Sequence, residues 1–90
     1  MMLFLSKPLP AFDPANFFQQ NCVICHGPTG QGDGRVGKLL KPPPPAITKV
    51  DPPLIVTTVL NGRGRMPRFA GQISEGDARQ LAGYVRSLQP

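Results

Sequence analysis

Ninety residues make one small domain, and a formal net charge of +5 excludes an acidic or charge-neutral chain. No apolar run approaches the roughly 20 residues that a membrane-spanning helix needs. The chain holds 12 prolines and 10 glycines but no repeat, which argues against both a disordered tail and a regular two-layer core. A loop-rich domain of this size needs a staple to be stable.

Met1 to Leu5 is apolar but too short for the core of a signal peptide, and no cleavage site follows it. Residues 1–12 read as an N-terminal extension or the remnant of a leader, and residues 13–90 as the domain. Asp13-Pro14 opens the first predicted helix with an N-cap residue followed by proline at the first helical position. That helix carries Phe17 and Phe18 and runs into Cys22. Gly27-Pro28-Thr29-Gly30-Gln31-Gly32-Asp33-Gly34 is an irregular loop. Arg35 to Lys41 has room for one short helical turn, and Pro42 to Pro45 cannot be helical.

Asp51-Pro52 repeats the cap-and-proline signal, and Asn61-Gly62 supplies a stop. The intervening Leu54 to Leu60 is rich in Val, Ile and Thr, which favours a strand on propensity; the start and stop signals favour a short helix. Ser74-Glu75-Gly76-Asp77 is a capping box with aspartate at its third helical position. Ala78, Leu81, Ala82, Val85 and Leu88 then mark one face of a helix over about 75–88, with Ile73 placed to staple its start. Gly83 interrupts that helix, either as a plain exposed glycine or because another helix crosses it closely.

The chemistry is concentrated in Cys22-Val23-Ile24-Cys25-His26, which holds both cysteines and the only histidine of the chain. A C-x-x-C-H run reads as a site of covalent c-type haem attachment. Two thiols three residues apart can each add to a vinyl group on one edge of a porphyrin, and the adjacent imidazole is then carried under the ring. A structural disulfide would leave the histidine unexplained. A thioredoxin-like pair normally sits near a βαβ pattern, and a zinc site needs four ligands, which two Cys, one His and scattered carboxylates supply poorly.

A haem iron held by His26 has a sixth position. Met1 and Met2 fall in the extension, so Met66 is the candidate ligand. It lies in Asn61-Gly62-Arg63-Gly64-Arg65-Met66-Pro67-Arg68-Phe69, where glycines make the loop pliable and Pro67 biases Met66 toward extended angles. The competing reading is a methionine that fills a core gap. A bis-histidine haem within this chain is excluded by counting, while lysine ligation or an open iron stays possible.

These features resemble the class I cytochromes c of the small bacterial type. Phe18 stands four residues before Cys22, where that family places an aromatic. Cys22, Cys25 and His26 match its haem motif, the loop from Gly27 its glycine-rich segment, and Asn61 to Pro67 its axial-methionine segment. Leu81 to Leu88, with Tyr84, resembles its last helix. Pro14, with Ala15 beside it, stands where many members have a small residue at the helix crossing. Pro28 is one choice for the carbonyl that accepts from the axial histidine.

The resemblance implies an all-α fold of three main short helices plus loops wrapped on one covalent haem c, with Phe18 and Tyr84 near the crossing of the first and last helices. Leu39, Leu40, Ile47, Leu54, Ile55, Val59 and Leu60 are candidates for the haem lining or the core. It implies haem binding by Cys22, Cys25, His26 and Met66, iron ligation by His26 and Met66, and no catalytic residue. The expected function is a periplasmic or otherwise extracytoplasmic one-electron carrier, monomeric, that is not an enzyme. The alternative is a haem domain serving as an internal relay in a larger oxidoreductase or oxidase subunit. Residues 35–68 hold seven cations against one carboxylate, which suggests redox partners with an acidic docking surface. The basic residues have little aromatic interleaving, which argues against nucleic acid.

Overall fold

A computed structural model describes residues 11–89. The expectations for residues 1–10, including their reading as part of an extension, lie outside the described residues. Four α-helices and one short 3-10 turn occur in the order α1 (Pro14–Asn21), α2 (Val23–His26), the turn Gly37–Leu39, α3 (Pro52–Asn61) and α4 (Glu75–Ser87). No strand occurs among the described residues, only isolated bridges between Arg63 and Met66 and between Ala70 and Ile73. The all-α expectation holds.

Helix α1 begins where the sequence signals it. The Asp13 carboxylate accepts from the Asn16 N–H at 3.1 Å, and Pro14 occupies the first helical position. Helix α4 opens on a complete capping box: Ser74 Oγ accepts from the Asp77 N–H at 3.0 Å, and the Asp77 carboxylate accepts from the Ser74 N–H at 3.1 Å. Ile73 packs against the core as a staple residue would.

Helix α3 resolves the conflict between propensity and punctuation in favour of punctuation. It starts at Pro52 and ends at Gly62, whose φ of +76° suits a residue without a Cβ. Asp51 makes no side-chain cap bond. The prolines that follow it bring no N–H of their own, so the helix start has few donors for a cap to satisfy.

The core is built from Phe18 of α1, Ile55 and Val59 of α3, Phe69, and Ala78, Leu81, Ala82 and Val85 of α4. Each of the larger side chains contributes roughly 1.5–3 kcal/mol by leaving water. Helix α4 packs against both α1 and α3. Phe18 meets Tyr84 at 5.6 Å between ring centroids, as the sequence suggests. A second aromatic column runs from Phe12 to Phe17 at 5.5 Å and from Phe17 to Phe69 at 5.2 Å.

Of the two readings of Gly83, the plain exposed glycine holds: a Cβ there would meet nothing within 4 Å, so no helix crosses at that point. The small buried residues of α4 are Ala78 and Ala82 instead. One expectation is corrected. Leu39 belongs to neither core nor lining: it is 76% exposed at the end of the 3-10 turn.

Polar side chains contribute mainly local bonds. Apart from Arg86, whose Nη1 donates to the Val50 carbonyl at 3.1 Å, every side-chain hydrogen bond among the described residues joins groups no more than four positions apart.

Candidate functional site

Helices α1, α2, α3 and α4 and the loop segments 40–50 and 63–69 line a cavity of about 670 Å³, within the roughly 300–1,000 Å³ usual for cofactor sites. Cys22, Cys25 and His26 line it together with Met66, which lies 40 positions further along the chain. Its walls include Phe18, Leu40, Ile47, Leu54, Ile55, Val59, Phe69, Leu81 and Val85. Leu60 packs against the core but does not line the cavity. The sequence did not single out Phe69, Leu81 or Val85 as lining residues. Leu81 and Val85 serve both core and cavity, and the Met-Pro-Arg-Phe spacing is the one sequence signal for Phe69.

The Cys-His turn is held from behind by backbone. The carbonyls of Val23, Ile24, Cys25 and His26 each accept a hydrogen bond, from the N–H groups of Gly27, Val36, Gly34 and Gly32 at 2.8, 2.8, 3.1 and 2.7 Å. The first is the capping bond of α2 itself; the other three are orphan acceptors of the helix C-terminus, satisfied by the returning loop. The approach is too close for side chains. A Cβ at Gly37 would overlap the Cys25 carbonyl oxygen, and one at Gly34 would overlap the Val23 carbonyl oxygen. The glycine-rich loop is therefore a packing requirement of the turn that bears the thiols and the imidazole.

Met66 is suspended differently. The N–H groups of Phe69 and Ala70 donate to the Val59 and Leu60 carbonyls at 2.9 and 3.1 Å, which closes the loop onto the end of α3. Within the loop, Arg63 and Met66 exchange two backbone bonds, of 3.1 and 2.9 Å, across Gly64-Arg65. Gly64 has a φ of +56°, and a Cβ there would touch nothing within 4 Å. At the base of the loop the packing is close, since a Cβ at Gly62 would come within 2.9 Å of the Met66 carbonyl oxygen and the Arg68 nitrogen, so the methionine side is open only at its tip.

The cysteines are free rather than bridged. Burial, with the neighbouring Cys25 thiol as the lesser cause, pushes the Cys22 thiol up to about 12. A thiol so protonated is a poor redox nucleophile, which counts against the thioredoxin-like reading. Among the described residues no group of three or more His, Cys, Asp or Glu side chains could hold a metal ion, which counts against the zinc reading. Burial also lowers the His26 pKa, so the ring is neutral at neutral pH and keeps a lone pair for a metal. His26 Nδ1 is buried without a hydrogen-bond partner, so the Pro28 carbonyl does not accept from it here. An unpartnered neutral imidazole, two free thiols and a thioether around one large apolar cavity fit a covalently held porphyrin.

The sequence matches, over residues 10–85, the family described as cytochrome c oxidase, cbb3-type, subunit III. The chain belongs to the class I c-type cytochromes. It is 36% identical over 74 residues to cytochrome c6 of Microcystis aeruginosa, covering 81% of this chain and 90% of that protein. It is 35% identical over 68 residues to cytochrome c6 of Leptolyngbya boryana, covering 76% and 80%. It is also 34% identical over 80 residues to the cbb3-type cytochrome c oxidase subunit FixP of Bradyrhizobium sp. (strain ORS 278), covering 82% of this chain and 26% of that subunit. The chain thus spans about a quarter of the oxidase subunits it matches. As a cytochrome c domain it takes haem c and has the all-α architecture of electron-transfer proteins. No helix among the described residues is long and apolar enough to cross a membrane.

Proposed function

We propose that this cytochrome domain carries single electrons through one haem c, joined by thioether bonds to Cys22 and Cys25 and ligated axially by His26 and Met66. The observation that carries the reading is one apolar cavity lined by both thiols and the imidazole of residues 22–26 and by the thioether of Met66. When bound, the haem supplies a reversible ferric/ferrous couple. The two cysteines fix its position in the cavity. His26 donates its neutral ring nitrogen. Met66 adds a soft thioether that favours ferrous iron and raises the reduction potential. With His26 and Met66 both holding the iron, the bound haem would offer no open position to a substrate, in keeping with a carrier rather than an enzyme. The apolar walls exclude water and hold the potential up.

Denaturing mass spectrometry of protein matured in a host able to attach haem tests this reading: the chain should be heavier by one haem, and an unmodified mass would overturn it.

The domain, taken as residues 13–90, works as a monomer on the periplasmic or another extracytoplasmic face. Its partners present acidic surfaces. The support is the basic span from Arg35 to Arg68, within which the exposed Arg35, Lys38, Lys41, Lys49 and Arg68 accompany the cavity-lining loops. Steering by such charges raises the encounter rate and is screened over about 8 Å at physiological ionic strength. The bimolecular rate with an acidic redox partner should fall as salt rises, and Lys38→Glu with Lys49→Glu should flatten that dependence. A rate indifferent to salt would reduce these residues to solubility.

A second reading, an internal relay within a longer oxidoreductase, is favoured by the short share of the oxidase subunits that the chain covers. The length of the intact gene product separates the two.

A further inference from the structure

The cavity lining is electrically one-sided. Lys41, Arg63 and Arg65 line it, and no Asp or Glu does. None of the three has a carboxylate partner: the ion pair found among the described residues is Glu75–Arg79, both partners exposed on α4. An otherwise apolar compartment edged by three unpaired cations suits a ligand with a large apolar body and an anionic margin. A porphyrin with two carboxylate arms has that form.

Arg63 stands apart from the other two cations. Its backbone exchanges two hydrogen bonds with that of Met66, so the positions of the two residues are tied together. A guanidinium also presents paired N–H donors in a plane that matches a carboxylate, which an ammonium does not.

We propose that Arg63 binds a propionate carboxylate of the haem, with Lys41 and Arg65 adding charge at the same edge, so that Arg63 anchors the Met66 turn to the cofactor. This rests on the haem reading above and assigns one more binding residue to it. Arg63 then has two tasks in one short turn. Its side chain grips the cofactor's edge, and its backbone holds the residue that carries the thioether.

The test uses the mature haem-bearing protein and two readouts: the propionate-bending band in the resonance Raman spectrum, and the affinity of added imidazole, which competes with Met66 for the iron. Arg63→Gln should shift the band and raise imidazole affinity about tenfold, the effect of losing one charge-assisted hydrogen bond. Arg63→Lys keeps the charge and removes the fork; it should shift the band with a smaller gain in imidazole affinity, and it serves if the glutamine variant matures poorly. Arg68→Gln and Lys38→Gln remove cations that do not line the cavity and should leave both readouts unchanged. If Arg63→Gln behaves as Arg68→Gln does, Arg63 is a surface charge and the proposal is overturned. A wild-type chain that carries no haem at all would instead overturn the haem reading, and its mass shows that separately.

Discussion

The two sides of the cavity are built on opposite principles. On the histidine side, each of four successive carbonyls is matched by an N–H from the next loop, and Gly34 and Gly37 leave no space for a single added carbon. On the methionine side, two bonds close the loop at its base, where Gly62 also packs closely on the Met66 and Arg68 backbone, but Gly64 at the tip of the two-residue turn borders open space. A wall saturated along its length faces one that is open at its tip. The backbone that carries the imidazole is held at every carbonyl, whereas the turn that carries the thioether is free of contacts at Gly64. Tuning of the iron should therefore occur through the Met66 loop, and damage to the fold through the glycine loop.

The largest effect expected from breaking this comparison comes from removing the staple that both sides share. A Cys22→Ala/Cys25→Ala chain should lose its cooperative thermal transition, because a domain of this size has too little core without the cofactor. A sharp melt of that chain, followed by circular dichroism, would contradict it. Next comes Gly37→Ala on the saturated side. The new Cβ overlaps a backbone carbonyl that cannot swing away, so the loss should be about 3 kcal/mol or more in denaturant unfolding, with poorer haem incorporation. A Gly37→Ala variant as stable as the parent would mean that the loop can relax and the wall is not saturated.

Met66→Ala should leave the fold standing. The ferric protein should lose its weak sulfur-to-iron charge-transfer band, and the reduction potential should fall by on the order of 0.1 V, within the range of about 0.8 V that axial ligation spans. An unchanged spectrum and potential would make Met66 a packing residue. The smallest change is Gly64→Ala, which meets no atom and bears only the strain of a left-handed angle, about 1 kcal/mol. A loss as large as that of Gly37→Ala would erase the contrast between the two sides.

Helices α1 and α4 were legible because their signals are local: Asp13 with Pro14, and Ser74 with Asp77, act within four residues and need nothing from the rest of the chain. Helix α3 was harder. Val, Ile and Thr at positions 55–59 prefer a strand, and the helix prevails because Pro52 and Gly62 bracket it and because Ile55 and Val59, four apart, turn together into the core. Leu39 shows the limit of composition, since nothing adjacent to it in sequence reveals that the 3-10 turn points it into solvent. Phe69 was missed because it lies in a loop without periodicity, and Leu81 and Val85 were missed as lining residues for a related reason. A periodic pattern tells which face is buried, not whether that face meets protein or a cavity. The cysteines, the histidine and the methionine stood out through chemistry, being rare residue types in a spacing with few other uses, but only the fold brings Met66 to the cavity of His26.

The Arg86–Val50 bond has an entropic meaning. The other side-chain hydrogen bonds of the described residues span so few positions that they can form in a chain with no tertiary order. Arg86 closes a loop of 36 residues, a step with a larger entropic cost that contacts of high sequence separation must repay. The caps act within one turn of chain, whereas the bond from the end of α4 to the approach to α3 joins two segments far apart in sequence. Val50 lines the cavity, so the last helix holds one wall of the site from its outer side through a single arginine.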